Sequence, residues 1–251
     1  MTKNEIKFLN SLLYSKYRYR HKKFIIEGVR AFEELLQSKH HIDKIFITDV
    51  FLDKYPKSPM IKSNFDYEVI TEVDFKKIQQ TTNSQGIIAV VPIKKYDNIR
   101  KANNQNILIL DSISDPGNMG TLLRSSVWFG IKNIFLSTGC VDIYNPKVVR
   151  SAMGAHFYLS NLIQLDMLDI VSKIRDSGHI LLAATLEGTS YKKVSVKSKK
   201  WALILGSEAH GIDKSILNQV DMKISIPQAG YLESLNVAVA GSILLDRLSI
   251  E

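Results

Sequence analysis

The sequence predicts an α/β protein in two parts: a small α/β unit in front, and behind it a larger, mainly parallel sheet with helices on both faces. Three observations carry this. Short apolar runs alternate with helical patterning, the runs from residue 107 onward are apolar at nearly every position, and the pattern breaks down at "VVPIKKYDNIRKANNQN" (90–106). Strands that are apolar on both faces belong to parallel sheets covered by helices, whereas Pro, Asn and clustered charge mark a connection. A chain of 251 residues, 45% hydrophobic, is long enough to bury a sizeable core and is not disordered.

The front elements follow in order. Ile6, Leu9, Leu12 and Leu13 recur at helical intervals. "FIIEG" (24–28), "KIFIT" (44–48), "YEVIT" (67–71) and "GIIAVV" (86–91) read as strands, with helical patterning in "VRAFEELLQ" and "VDFKKIQQ" between them. Behind the break, "ILIL" (107–110), "NIFLS" (133–137), "HILLAATL" (179–186), "WALILG" (201–206) and "MKISIP" (222–227) are strand-length. The last segment, "SLNVAVAGSILLDRLS" (234–249), reads as a helix whose small residues Ala238, Ala240 and Gly241 suit close packing, including against another subunit. The expected organisation is a domain over 1–98, a linker over 99–106 and a second domain over 107–251.

Charge is uneven. The net charge is +8, and residues 1–100 hold 18 basic against 12 acidic side chains, so the front carries most of the surplus. A polyanion such as nucleic acid is the natural partner. In "KYRYRHKK" (16–23), Lys16, Arg18, Arg20, Lys22 and Lys23 alternate with Tyr17, Tyr19 and His21, which offers phosphate contacts and base stacking together. These five basic residues are the nucleic-acid-binding candidates. The lone Cys140 excludes an internal disulfide, and Cys140, His156 and His210 have no ligand-spaced partners, so no metal is expected. No apolar run approaches membrane-spanning length and the opening residues lack a signal-peptide core; a cytoplasmic protein away from the membrane is expected.

Three polar, Gly-containing loops follow apolar strands: "DPGNMGTLLR" (115–124), "GSEAHG" (206–211) and "PQAGYLESLN" (227–236). Carboxyl ends of parallel strands share one sheet edge, so the loops can converge there. Gly117-Asn118-Met119-Gly120 lacks dinucleotide-fold spacing and no phosphate-loop lysine motif occurs, which disfavours nicotinamide enzymes and nucleotide hydrolases. The loops still carry chemistry. Arg124 can hold a phosphate or a developing alkoxide, and Asn118 can donate and accept. Glu208 can restrain a guanidinium or another polar partner, and Gly206 permits close backbone approach. Ser234 and Asn236 can cap the final helix.

Taken together, "DPGNMGTLLRSS", "LILGSEAHGI" and "IPQAGYLESLNVAVAGSILL" resemble, in order, the three motifs of the SpoU (TrmH) branch of the SPOUT superfamily of RNA 2′-O-ribose methyltransferases. The likeness runs from about residue 107 to 251. In front, "KYRYRHKKFIIEGVRAFEELL" and "TTNSQGIIAVV" are similar to the substrate-binding domain, like ribosomal protein L30e, that many members carry. The resemblance implies a sheet tied in a deep trefoil knot, a homodimer, and S-adenosylmethionine as cofactor. It implies a catalytic set of Asn118, Arg124, Glu208, Ser234 and Asn236, with Arg124 central as either the proton acceptor or the stabiliser of the alkoxide, and with Thr185, Leu186, Gly206, Ile226 and Leu235 around the cofactor. Gln228 stands where many relatives have Met, which puts the edge of that pocket in question. The front domain resembles that of ribosomal RNA enzymes more than the minimal tRNA ones, so rRNA is the expected substrate. The alternative is a non-catalytic RNA-binding or ribosome assembly protein on the same fold, which the full set of polar motif residues argues against.

Overall fold

The structure is a computed structural model that describes residues 1–56, 65–96, 105–196 and 199–249; residues 99–104 of the expected linker lie outside these. The chain packs as two compact units. One comprises Met1–Lys95 with Asp142–Phe157, the other Tyr96–Val141 with Tyr158–Glu251.

In the first unit the elements are α1 (Lys3–Ser11), α2 (Ser15–His21), β1 (Lys23–Glu27), α3 (Val29–Gln37), β2 (Lys44–Thr48), α4 (Asp49–Lys54), β3 (Glu68–Ile70), α5 (Glu72–Phe75) and β4 (Ile87–Pro92). The sheet order is β1-β4-β2-β3, with β4 antiparallel to both neighbours and β2 parallel to β3. Thr2 starts α1 as a capping box with Glu5, which satisfies two of the amides that a helix start leaves open. Leu9, Leu12, Phe46, Phe75 and Ile88 belong to its core with Ile6 packed against it, whereas Leu13, read on the same helical face, lies past the end of α1 and is exposed.

Residues 142–157 were expected in the rear domain, but they pack with the front sheet. The segment holds α7 (Pro146–Ala152) and a 3-10 turn at Ala155–Tyr158. Tyr144 lies 4.8 Å from Phe24 between ring centroids, and His40 lies 5.3 Å from Phe157. At Gly154, φ +88, a Cβ would sit 2.5 Å from that of Glu34. Only glycine fits that approach and that backbone.

The second unit contains β5 (Ile107–Leu110), α6 (Pro116–Trp128), β6 (Asn133–Ser137), β7 (Asn161–Leu165), α8 (Met167–Asp176), β8 (Ile180–Ser190), β9 (Trp201–Leu205), α9 (Lys214–Leu217), β10 (Met222–Ser225) and α10 (Val237–Ser249). Its sheet order is β10-β8-β9-β5-β6-β7, and every pairing is parallel. Strands β5, β6 and β9 are buried at every position, as strands covered on both faces must be. Ile170, Val171 and Ile174 of α8 cover one side of β5 and β9. Gly241 of α10 lies against Leu122 of α6 and Leu205 of β9, where a Cβ would meet either leucine at 2.6 Å. Strand β7 was not anticipated; only its first two residues are buried, and Gln164 interrupts its apolar pattern by donating to Ser137 O at 3.1 Å.

Candidate active site

The first loop is built by its own cap. Asp115 precedes α6 and accepts from the Asn118 amide at 2.7 Å, while Pro116 occupies the first helical position. Proline has no amide to leave unsatisfied there. Asn118 is thereby fixed on the first turn. The sequence reading missed Asp115, although Asp-Pro before a helix is a legible start signal.

In the second loop, Ser207 and Gly211 pair as a bridge, with the Gly211 amide donating to Ser207 O at 2.9 Å and the His210 amide to Ser207 Oγ at 3.1 Å. Gly206 is closely approached: a Cβ would lie 2.4 Å from the Gly211 carbonyl and 2.6 Å from Ile212 N. This turn presents Glu208 outward. In the third loop, Asn236 starts α10, its Oδ1 accepting from Ala238 N at 2.9 Å and Val239 N at 3.3 Å.

These three residues meet. Because Asn236 Oδ1 is taken by the helix amides, its Nδ2 is the group that faces Asn118 and donates to Oδ1 at 2.9 Å. Asn118 Nδ2 is then turned to Glu208 and donates to its Oε1. The cap of α10 therefore sets the direction of a relay of hydrogen bonds that ends on a carboxylate. Arg124 is not in it. Of the two partners considered for Glu208, the structure gives it Asn118. Arg124 lies six residues farther along α6, about 9 Å of helix rise, exposed and without a hydrogen bond or ion pair among the described residues. Ser234 is likewise exposed and free among them.

Gly206 and Ile226 directly follow β9 and β10, Thr185 and Leu186 lie within β8, and Leu235 is in the third loop. Ala183 pairs with Lys223, but the next pair is Thr189 with Ile224, so residues 184–188 leave the ladder. Thr185 and Leu186 sit on this excursion, Thr185 Oγ1 donating to Glu187 O at 2.6 Å and Leu186 76% exposed. Gly188 closes it, since a Cβ there would lie 2.6 Å from Lys223 O. Ile226 follows β10 half-buried, and Leu235 stays 47% exposed. Gln228 does not reach outward: its Nε2 donates to Gly230 O at 2.8 Å and to Leu232 O, organising the third loop. Uncovered apolar side chains, glycine backbone at two close approaches and a carboxylate fit a nucleoside cofactor that carries a cationic sulfur.

The front basic run behaves differently from expectation. Arg18 is 2% exposed and buried by its own partners, Leu12 O, Leu13 O and Asp142, so it cannot meet RNA. Lys23 is half-buried and paired with Asp43 at 2.8 Å. Lys16, Arg20 and Lys22 are exposed. His156 is buried with Nε2 against Ile143 O at 2.7 Å, and Cys140 donates to Leu110 O at 3.3 Å. Both serve packing. No described helix is long and apolar enough to cross a membrane.

Comparison with known proteins agrees with this geometry. The SpoU rRNA Methylase family matches residues 105–246, and the MRM3-like substrate binding domain matches residues 3–89. The chain is 31% identical over 247 residues, 97% of its length and 95% of the relative's, to the 23S rRNA (guanosine(2553)-2′-O)-methyltransferase RlmP of Bacillus subtilis. It is 27% identical to the mitochondrial rRNA methyltransferase 3 of Xenopus laevis, across 92% of this chain and 70% of that protein. Among solved structures, a TrmH-family protein from Porphyromonas gingivalis superposes with a TM-score of 0.85 at 32% identity, covering 98% of this chain and 97% of the other. An rRNA methyltransferase from Sinorhizobium meliloti, determined with S-adenosylmethionine bound, gives 0.83 at 25% identity over 98% and 94%. With its three loops converging on one edge of a parallel sheet and its front matching the substrate-binding domain, the chain belongs to the SpoU rRNA methylase family.

Proposed function

We propose that this protein transfers a methyl group from S-adenosylmethionine to a ribose 2′-hydroxyl of RNA, in ribosomal RNA rather than tRNA. The observation that carries the reading is the Asn236–Asn118–Glu208 relay, which joins all three family motifs at one edge of the sheet. The cofactor supplies an electrophilic methyl group. Gly206, Ile226, Leu235, Thr185 and Leu186 hold it, through backbone groups and apolar contact. The chain's task is to position a weak nucleophile for attack on that methyl group. Arg124, unpaired among the described residues, holds the RNA phosphate and stabilises the developing alkoxide. Asn118 fixes the Glu208 carboxylate, and Ser234 offers a hydroxyl on the third loop.

Residues 1–98 serve as the RNA-recruiting domain and 107–251 as the methyltransferase domain, supported by the charge surplus in front and by Lys16, Arg20 and Lys22 at the surface. The protein acts as a cytoplasmic homodimer. Support for the dimer comes from Trp128, 83% exposed on α6, and Val239, 49% exposed on α10. The small residues singled out for this purpose are partly spent within the protomer: Ala238 is 3% exposed and Gly241 lies against Leu122 and Leu205.

The test is transfer of tritium from labelled S-adenosylmethionine into ribosomal RNA and tRNA, followed by mapping of the methylated nucleotide. Label at a ribose 2′-oxygen of rRNA is expected. Cofactor-dependent label on a base, or RNA binding with no transfer to any RNA, would overturn the reading, the latter in favour of an assembly protein.

A further inference from the structure

We propose that Ser137 is a positioning residue for methyl transfer: its hydroxyl holds Ser112 in a left-handed backbone and so sets the direction in which the chain reaches Asn118. This rests on the activity proposed above. Every residue involved belongs to the second unit. Strand β5 leaves the ladder after Leu110, which pairs with Leu136 of β6 on one side and with Leu205 of β9 on the other. The next two amides are still held, one on each side. Asp111 N donates to Leu205 O at 2.8 Å, while Ser112 N turns toward β6 and donates to a side chain, Ser137 Oγ, at 2.8 Å. Ser137 is 4% exposed. Its hydroxyl accepts from Ser112 and keeps its own proton for Cys140 Sγ, 3.9 Å away, whose thiol is already donating to Leu110 O at 3.3 Å. Alanine at 137 would take this acceptor from the Ser112 amide.

Ser112 sits at φ +56, a region that serine seldom occupies. For such a residue the left-handed backbone is disfavoured on the order of ten-fold, so it persists only where the surroundings impose it. Three contacts do so here. Ser137 takes the amide, Ser112 Oγ donates to Asp111 Oδ1 at 3.1 Å, and Gly139 lets the 137–140 turn close over the serine, since a Cβ at 139 would lie 2.6 Å from Ser112 Oγ. The bend redirects the chain at the end of a straight strand. Ile113, next in line, is fully buried, and Asp115 then caps α6 and accepts from the Asn118 amide at 2.7 Å. Asn118 is thereby brought to Asn236 and Glu208. With any other backbone at 112 the chain leaves β5 in another direction, and the first turn of α6 carries Asn118 away from both partners. A hydroxyl that only stabilised the fold would act on melting. One that fixes this bend acts on turnover.

The experiment uses the full chain, unmodified ribosomal RNA transcribed in vitro, and three variants: Ser137→Ala, and Ser137→Ala combined with either Ser112→Gly or Ser112→Ala. Glycine enters the left-handed region at no steric cost and needs no hold, whereas alanine removes the same Ser112 hydroxyl and keeps the cost. At saturating RNA and cofactor, Ser137→Ala is expected to turn over about ten-fold more slowly, because only the chains that keep the bend are competent, with the KM for RNA and the Kd for S-adenosylmethionine within about three-fold of the parent. Adding Ser112→Gly should restore turnover to within about three-fold of the parent, and adding Ser112→Ala should restore none. Turnover of Ser137→Ala within about two-fold of the parent, a loss matched by an equal loss of cofactor affinity, or a glycine rescue no larger than that by alanine would overturn the proposal. Should Ser137→Ala fail to fold, Ser137→Cys, a weaker acceptor of similar size, is taken through the same two combinations and judged by the same results. Hydrogen exchange across 111–118 should rise in Ser137→Ala whether or not RNA is methylated. If the parent protein methylates no RNA, the functional reading fails by itself, and unchanged exchange across 111–118 is the result that overturns the hold on Ser112.

Discussion

Asn236 does two jobs with one side chain, and the two can be separated. Its Oδ1 caps α10 and its Nδ2 orients Asn118. Asn236→Asp keeps the cap and replaces the donor by an acceptor facing Asn118 Oδ1, so melting should hardly change while turnover drops by about 100-fold, a loss of the size seen when one preorganised donor is removed. Asn236→Ala should lose the relay and also about 1 kcal/mol of stability. Thermal melting and methylation assays on both variants check this; equal destabilisation of the two would show that the relay has no separate role. Arg124→Ala should abolish transfer and leave S-adenosylmethionine affinity within a few-fold, since a cationic side chain contributes little to holding a cationic cofactor. Calorimetry beside a methylation assay decides it. His156 gives a pH signature: burial pushes its imidazole down to about 4, against weaker opposing contributions from the Ile143 carbonyl and Asp142. Its folded pKa lies below its unfolded one, so as pH falls the unfolded chain takes up the proton first. The stabilisation is complete above about pH 6.5 and is lost as pH falls toward 4, on the order of 3 kcal/mol in all. His156→Gln should flatten the fall in melting temperature over that window, and an unchanged slope would refute the assignment. Burial also lowers His40 and His179, which leave a residual slope.

Among the elements, the loop after β9 depends most on one residue. Gly206→Ala would place a methyl group 2.4 Å from the Gly211 carbonyl, where the nearest atoms are backbone and cannot swing aside. The Ser207–Gly211 turn must open, and Glu208 moves with it. The variant should fold with a loss of about 1 to 3 kcal/mol, typical of overpacking, but should bind S-adenosylmethionine at least about ten-fold more weakly, because a site loosened by about 1 Å loses its preorganisation. Isothermal titration gives the answer; parental affinity would mean that the loop does not shape the cofactor site. Gly241 is a different case. Its Cβ would meet the far ends of Leu122 and Leu205, which are flexible side chains, so α10 tolerates a methyl group far better there than the loop does at Gly206.

At the scale of the molecule, the front residues are not simply an appendage. Residues 142–157 interrupt the second unit between β6 and β7 and bury Tyr144, His156 and Phe157 among front residues such as Phe24 and His40. Removal of residues 1–98 would uncover this aromatic set and strand Asp142 without Arg18. The remainder should therefore be less stable than the full chain and prone to association, with RNA affinity lost as well. For the intact protein, RNA affinity should fall with salt at a log–log slope of about −0.7 to −0.9 per phosphate contact, and Lys16→Ala, Arg20→Ala and Lys22→Ala combined should flatten it by up to about three contacts. These three are the exposed lysines and arginine of the run. Light scattering on the truncated protein and filter binding over a salt series on the triple variant are the measurements. A monodisperse, cofactor-binding fragment would show that the 142–157 segment stands without the front, and an unchanged salt slope would place the RNA contacts elsewhere.

Local pattern alone located most strands and the three loops, because strand length, both-face apolarity and turn chemistry are written within a few residues of each other. The strands at 44–48, 107–110 and 133–137 have the limits that were read for them. Strand β7 escaped because Gln164 breaks its apolar run for the sake of a bond to Ser137. What the tertiary structure decided were partners far apart in sequence. Glu208 takes Asn118 across 90 residues, Asn236 takes Asn118 across 118, and Arg18 turns inward to Asp142 across 124. Such pairings are set by sheet order and loop convergence, and no window on the chain contains both members. A basic run therefore reads the same whether its arginine faces solvent or a buried carboxylate, until the fold brings the carboxylate to it.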